Sequence, residues 1–234
     1  MKFFVSPEVF SRHPDALIGV IVAENMENAA DGDTTEKLLR EAEMHVQRTM
    51  NAETFKDHPH IAAMQEIHRS FGNNPNKFPP SVQALLKRVL KGGQLPVINP
   101  LVDVYNVISL KYVVCVGAED TDLCAGDLRL TVAEGGEPFT PLGEDANDPA
   151  IAGELIYRDD AGVICRKLNW REGDRTKITE QTKNAVIVVE GFPPVTRDVL
   201  EGMLQELATL TKEHCHAQTR VEVLTKEQPE CLIR

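Results

Sequence analysis

Metal chemistry is the first possibility that the residue types raise, because His214-Cys215-His216 sets two imidazoles beside a thiol, all of them zinc-binding groups. Three adjacent residues rarely converge on one ion, and no second ligand cluster stands at a suitable spacing. Asp57-His58-Pro59-His60 meets the same objection, so no metal is expected. Gly92-Gly93 and Gly135-Gly136 lack the strand, glycine-rich loop and helix of a phosphate-cradling loop, and the Lys-Ser/Thr that belongs to it. No nucleophile-elbow pentapeptide is present either. No cofactor is implied.

Charge is the second chemical signal. A formal net charge of -11 argues against broad phosphate contact, which depends on Lys and Arg displacing counterions. The distribution is uneven, however. Positions 67–102 hold no acidic residue, and Arg69, Lys77, Lys87, Arg88 and Lys91 give them +5. In positions 165–177, Arg166, Lys167, Arg171, Arg175 and Lys177 outnumber Glu172 and Asp174, for +3. An acidic body with two basic islands fits a partner touched at one place, such as the end of an RNA, although solvated faces produce the same pattern.

The elements that must position these residues follow from periodicity. Residues 16–22 read as an apolar strand, and Ala30-Asp31-Gly32-Asp33-Thr34 as a loop leading into a surface helix over 35–50, with Leu38, Leu39, Ala42 and Val46 at helical spacing. Residues 60–68 continue helically until the Gly/Asn/Pro segment 71–80, which no helix can cross. Ser81 suits an N-cap for a helix with Val82, Leu85, Leu86, Val89 and Leu90 on its buried stripe and Gly92-Gly93 as its stop. Asn99-Pro100 opens a mostly apolar helix through Leu110. Strand-like runs follow at 112–116, 128–132, 154–157, 163–168 and 185–189, then an amphipathic helix over 195–211 and a last strand near 220–224. Helices first, strands in the middle and a helix near the end predict an α+β fold: a layered mixed β-sheet core with an N-terminal helical extension and a C-terminal helix. The expected division is a strand-and-helix extension, 1–95, packed on a core, 96–234, as one compact unit.

No apolar run approaches the roughly 20 residues that span a bilayer. The start has no signal-peptide pattern, and five dispersed cysteines suit a reducing compartment. A cytoplasmic protein is expected, with neither membrane nor DNA as a partner; the oligomeric state stays open.

The stretch Asn99-Pro100-Leu101-Val102-Asp103-Val104-Tyr105-Asn106, continued by Ala118-Glu119-Asp120-Thr121-Asp122, Leu128-Arg129, Gly136-Glu137, Arg171-Glu172-Gly173-Asp174-Arg175-Thr176 and Thr182-Lys183-Asn184, forms an ordered series over about residues 96–191. It resembles the editing domain of the bacterial phenylalanyl-tRNA synthetase beta subunit. Arg69-Ser70-Phe71-Gly72 and the segment after it are similar to the extension of free-standing members. The resemblance implies a pocket for the aminoacyl 3' end of tRNA, an enzyme hydrolysing misacylated esters, and no cofactor. It further implies that Asn106 fixes a carbonyl or ribose hydroxyl, that Asp174 orients water or the substrate amine, and that Thr176 and Thr179 hydrogen-bond beside it. Arg69, Arg166 and Arg171 would hold phosphate, Glu137 and Asn169 would line the substrate site, and Trp170 could stack on a base. Where the synthetase domain carries a pocket histidine, this chain has Gly117. A binding module for a tRNA end or amino acid, or a hydrolase of another small substrate, remains as an alternative.

Overall fold

Phe3 and Val5 point inward from a four-residue strand, β1 (Lys2–Val5), and Pro7 then fixes the first turn of a short helix, α1 (Pro7–Arg12). The computed structural model describes residues 1–29 and 32–234, so the first part of the expected 30–34 loop lies outside the described residues. The apolar run becomes β2 (Leu17–Glu24), followed by the helices α2 (Gly32–Thr49), α3 (Pro59–Ser70) and α4 (Ser81–Leu90). Asn99 and Pro100 start α5 (Pro100–Tyr112), where the Asn99 side chain accepts from the Val102 amide at 3.1 Å.

The strand expected over 112–116 begins later. Lys111 and Tyr112 keep the last helical turn because both side chains hydrogen-bond Glu206, the Tyr112 hydroxyl at 2.5 Å. Val113 then turns left-handed, at φ 58, which costs a β-branched residue about 1–2 kcal/mol and ends the helix. The strands that follow are β3 (Val116–Asp120), β4 (Leu128–Val132), β5 (Leu155–Arg158), β6 (Val163–Arg166), β7 (Arg171–Glu172) and β8 (Ala185–Gly191). Helix α6 (Arg197–Cys215) and the strands β9 (Gln218–Leu224) and β10 (Glu230–Leu232) complete the chain.

Two sheets form: A in the order β10-β1-β4-β5-β6-β7, mixed through the parallel β1–β4 pair, and B in the order β3-β8-β2-β9, antiparallel throughout. Strand period two divides the core. Val186 and Val188 on β8, with Ile18, Val20 and Val22 on β2, pack toward sheet A. Ile187 and Val189, with Ile21 and Ala23, pack on α5 and α6 instead. Helix α6 crosses so close to β2 that a Cβ on Gly19 would sit 2.7 Å from Leu204. The α+β layered fold is as the sequence pattern predicted. Residues 1–95, though, supply β1 to sheet A and the interior strand β2 to sheet B, so they are woven into both sheets in addition to packing helices on them.

Candidate functional site

Where the β5–β7 end of sheet A meets the β3–β8 end of sheet B, a small cavity opens. Gly117 and Glu119 reach it from β3, Val188 from β8, Tyr157 from β5, Cys165 from β6, and Asn169 and Glu172 from the β6–β7 turn and β7. The cavity offers about 20 Å³ to a water-sized sphere, room for one water. Alternation places these groups together: residues 117 and 119 share the β3 face turned to sheet A, and the in-phase positions Val186, Val188 and Glu190 share that of β8.

The charges here are unusual for an interior. Glu119 is buried and accepts from the Thr176 hydroxyl at 2.5 Å. Burial and the neighbouring Glu172 push its carboxyl well up, while burial raises Glu172 and the proton held by Glu119 partly offsets that rise. Both carboxyls therefore resist ionisation where they meet, and a proton lost by one makes the other harder to ionise. Behind them, burial pushes Glu190 up to about 8, although the Tyr157 hydroxyl donates to its Oε1 at 2.9 Å. Burial also raises the Tyr105, Tyr157 and Cys165 groups, so the Cys165 thiol is no nucleophile. Gly117 leaves no slack. A Cβ there would lie 3.1 Å from both Asn169 Nδ2 and Glu172 Oε1, and the space a side chain would need is already taken.

The residues singled out from the sequence fall in several places. Asn169 lines this cavity, and Thr176 joins it through Glu119. Asp174 and Thr176 also line a neighbouring groove of about 230 Å³ with Phe139, Thr140 and Arg175. In that groove the Asp174 carboxylate accepts from Gly143 N at 3.1 Å and Lys177 Nζ at 2.8 Å, and it is held below its ordinary value chiefly by the lysine. Asn106, half-buried on α5, lines neither of these two spaces. The Thr179 hydroxyl accepts from Gln181 N at 3.2 Å within its own turn. Glu137 closes the 134–137 turn by accepting from Glu134 N and Gly135 N at 2.7 and 2.9 Å.

The arginines expected to hold phosphate have partners within the chain. Arg69 pairs with Glu66 at 3.2 Å and Arg171 with Glu144 at 2.5 Å, both near the surface. Arg166 is buried, bonded to Glu154 at 2.7 Å and Asp148 at 2.7 Å. In the Val102-Asp103 motif, Asp103 ties α5 to α2 and to the preceding loop, accepting from Thr35 Oγ1 at 2.9 Å and Ile98 N at 3.0 Å. Glu119, Tyr157, Glu172 and Glu190 were not assigned a role from the sequence. The available signal was phase: Glu190 continues the even-numbered face of an otherwise apolar strand.

A family model described as the B3/4 domain matches residues 63–216, from α3 to the end of α6. The chain belongs to the B3/4 domain family. Its match runs continuously across position 95 and contains every residue of the cavity. Among solved structures, the chain is similar to an N-terminal fragment of the phenylalanyl-tRNA synthetase beta subunit from Pyrococcus horikoshii, at 14% identity and a TM-score of 0.48. That likeness covers 93% of this B3/4 chain but 50% of the fragment, so the chain spans about half the length of that relative. No curated protein matches its sequence. Among the described residues, no helix is long and apolar enough to cross a membrane.

Proposed function

We propose that this B3/4 domain hydrolyses the ester linking a wrong amino acid to the 3' end of a tRNA. The observation that supports it is the pair of carboxyls Glu119 and Glu172 lining, beside Asn169, one cavity sized for one water. Ester hydrolysis needs a base for water and a donor where negative charge develops. Glu172, partly accessible at the mouth, takes a proton from the water as its oxygen bonds to the ester carbonyl carbon. The Asn169 Nδ2 group donates to the oxyanion that forms. When the C–O bond to ribose breaks, the proton on Glu172 passes to the leaving hydroxyl oxygen, and the pair returns to its starting state. Glu119 donates to Glu172 throughout, and Thr176 holds Glu119 in place. Because the cavity admits water but no side chain, the ester stays outside it, at the mouth.

Single-turnover hydrolysis across a panel of aminoacyl-tRNAs tests the proposal. At least one charged tRNA is expected to lose its amino acid faster with the protein than without it. Glu172→Gln should slow that loss by about 10²- to 10⁴-fold, the usual contribution of a general base. A wild type inactive on the whole panel would reject the reading and leave a binding module.

A further inference from the structure

We infer that the groove between the 71–80 loop and the 166–170 turn binds one 5'-phosphorylated nucleotide, its base stacking on Trp170 and its phosphate meeting Lys77 and Asn73. Lys77 of the first basic island and Arg166 and Lys167 of the second line this groove. It has a volume of about 410 Å³, within the range of about 300–1,000 Å³ usual for small-molecule sites. Asn73, Lys77, Phe78, Arg166, Lys167 and Trp170 line it.

Three observations select the ligand. Charge comes first: Arg166 and Lys167 are matched by Glu154 and Asp148, which leaves Lys77 as the surplus cation. An anion therefore fits and a second cation does not. Aromatic geometry comes next. Phe78 and Trp170 form an edge-to-face pair with centroids 4.7 Å apart, and the Lys167 ammonium already lies 4.6 Å from the Phe78 ring and 5.7 Å from the Trp170 ring, where a ligand ammonium would otherwise go. The indole is half-buried, and a planar base is the group that its remaining exposed surface would accept. The third observation is Asn73, which is 6% exposed and follows the left-handed Gly72 that ends α3, its Nδ2 without a hydrogen-bond partner. A buried donor left unpaired costs about 1–3 kcal/mol, a cost that a phosphate oxygen would remove.

The inference rests on the deacylase reading only for the expectation that the nucleotide belongs to an RNA strand. Trp170 is the one tryptophan in the chain, so its fluorescence reports the groove directly. The protein is titrated with adenosine 5'-monophosphate, adenosine, inorganic phosphate and a short single-stranded RNA. Saturable quenching by the monophosphate and the RNA is expected, with adenosine about tenfold weaker or worse. Asn73→Ala and Lys77→Ala should each weaken binding by about tenfold, as loss of a hydrogen bond to a charged group does. Tighter binding of the RNA assigns the nucleotide to a strand; tighter binding of the monophosphate assigns it to a free nucleotide. Absence of quenching up to millimolar concentration overturns the inference, as does equal affinity for adenosine and its monophosphate. So does unchanged binding by Lys77→Ala, a surface change that leaves the fold intact. Binding is read without turnover, so quenching by a protein inactive on every aminoacyl-tRNA rejects the deacylase alone, and hydrolysis with an unresponsive Trp170 rejects the groove alone.

Discussion

Replacing Glu190 with Gln should make the protein's stability much less sensitive to alkali. In the fold the carboxyl is held at about 8 by burial, while in the unfolded chain it returns to its ordinary value of 4.5. The folded state therefore binds the proton more tightly. Its stabilising contribution is complete below pH 4.5, falls as pH rises between 4.5 and about 8, and changes no further above that. At about 1.36 kcal/mol for each tenfold step, the loss across that window is on the order of 5 kcal/mol. Gln has the same shape, still accepts from the Tyr157 hydroxyl and never ionises. Urea denaturation of both proteins at a series of pH values from 5 to 9 gives the comparison. Near pH 5 the two should be close in stability, and near pH 9 the variant should lead by several kcal/mol. Glu172 raises Glu190 in turn, so the difference between the curves reports Glu190 together with its coupling to that carboxyl. Parallel curves, offset by a constant, would refute the assignment of a neutral carboxyl to this position.

Four further outcomes follow from the same geometry. Asp174→Asn should slow hydrolysis far less than Glu172→Gln, because the Asp174 carboxylate is engaged with Gly143 and Lys177 in a separate groove; single-turnover rates decide between them. Glu154→Ala leaves buried Arg166 and Lys167 without their shared carboxylate and should cost about 3–5 kcal/mol in urea denaturation. Burial holds His68 at about 4, so its contribution to stability is complete above 6.5 and lost as pH falls to 4; His68→Gln should flatten that window by about 3 kcal/mol. Gly19→Ala drives a methyl against Leu204 where α6 crosses β2 and should cost about 1–3 kcal/mol, read as a lower melting temperature.

The elements whose signals are local were readable from the residues. Asn99-Pro100 marked the start of α5, Leu128–Val132 matched its strand, and the period of Leu38, Leu39, Ala42 and Val46 marked α2. Signals that depend on tertiary partners were not readable. Tyr112 has a strand-former's side chain, yet Glu206, 94 positions away, keeps it helical. The site was partly legible for the same reason. Glu119, Glu172 and Thr176 lie in sequence stretches that carried the family resemblance, whereas their meeting with Asn169 and Glu190 arises only where β3, β7 and β8 come together. Beyond the phase of Glu190 on its apolar strand, nothing local to these glutamates distinguishes them from surface ones. Asp174 stood out because its turn is conspicuous, and the fold directs it to a different groove.

The weaving of the first strands into both sheets also sets the order in which the molecule can be completed. Strand β2 has its partners at β8 and β9, and β1 pairs with β10 through Phe3 and Cys231. While the chain is being synthesised, the inward faces of Phe3, Ile18, Val20 and Val22 are made first and covered last. Such long-range pairing folds slowly and leaves strand edges open to intermolecular addition. Refolding from urea should accordingly be limited by sheet closure, and the nascent N-terminal third is where a holdase chaperone would bind.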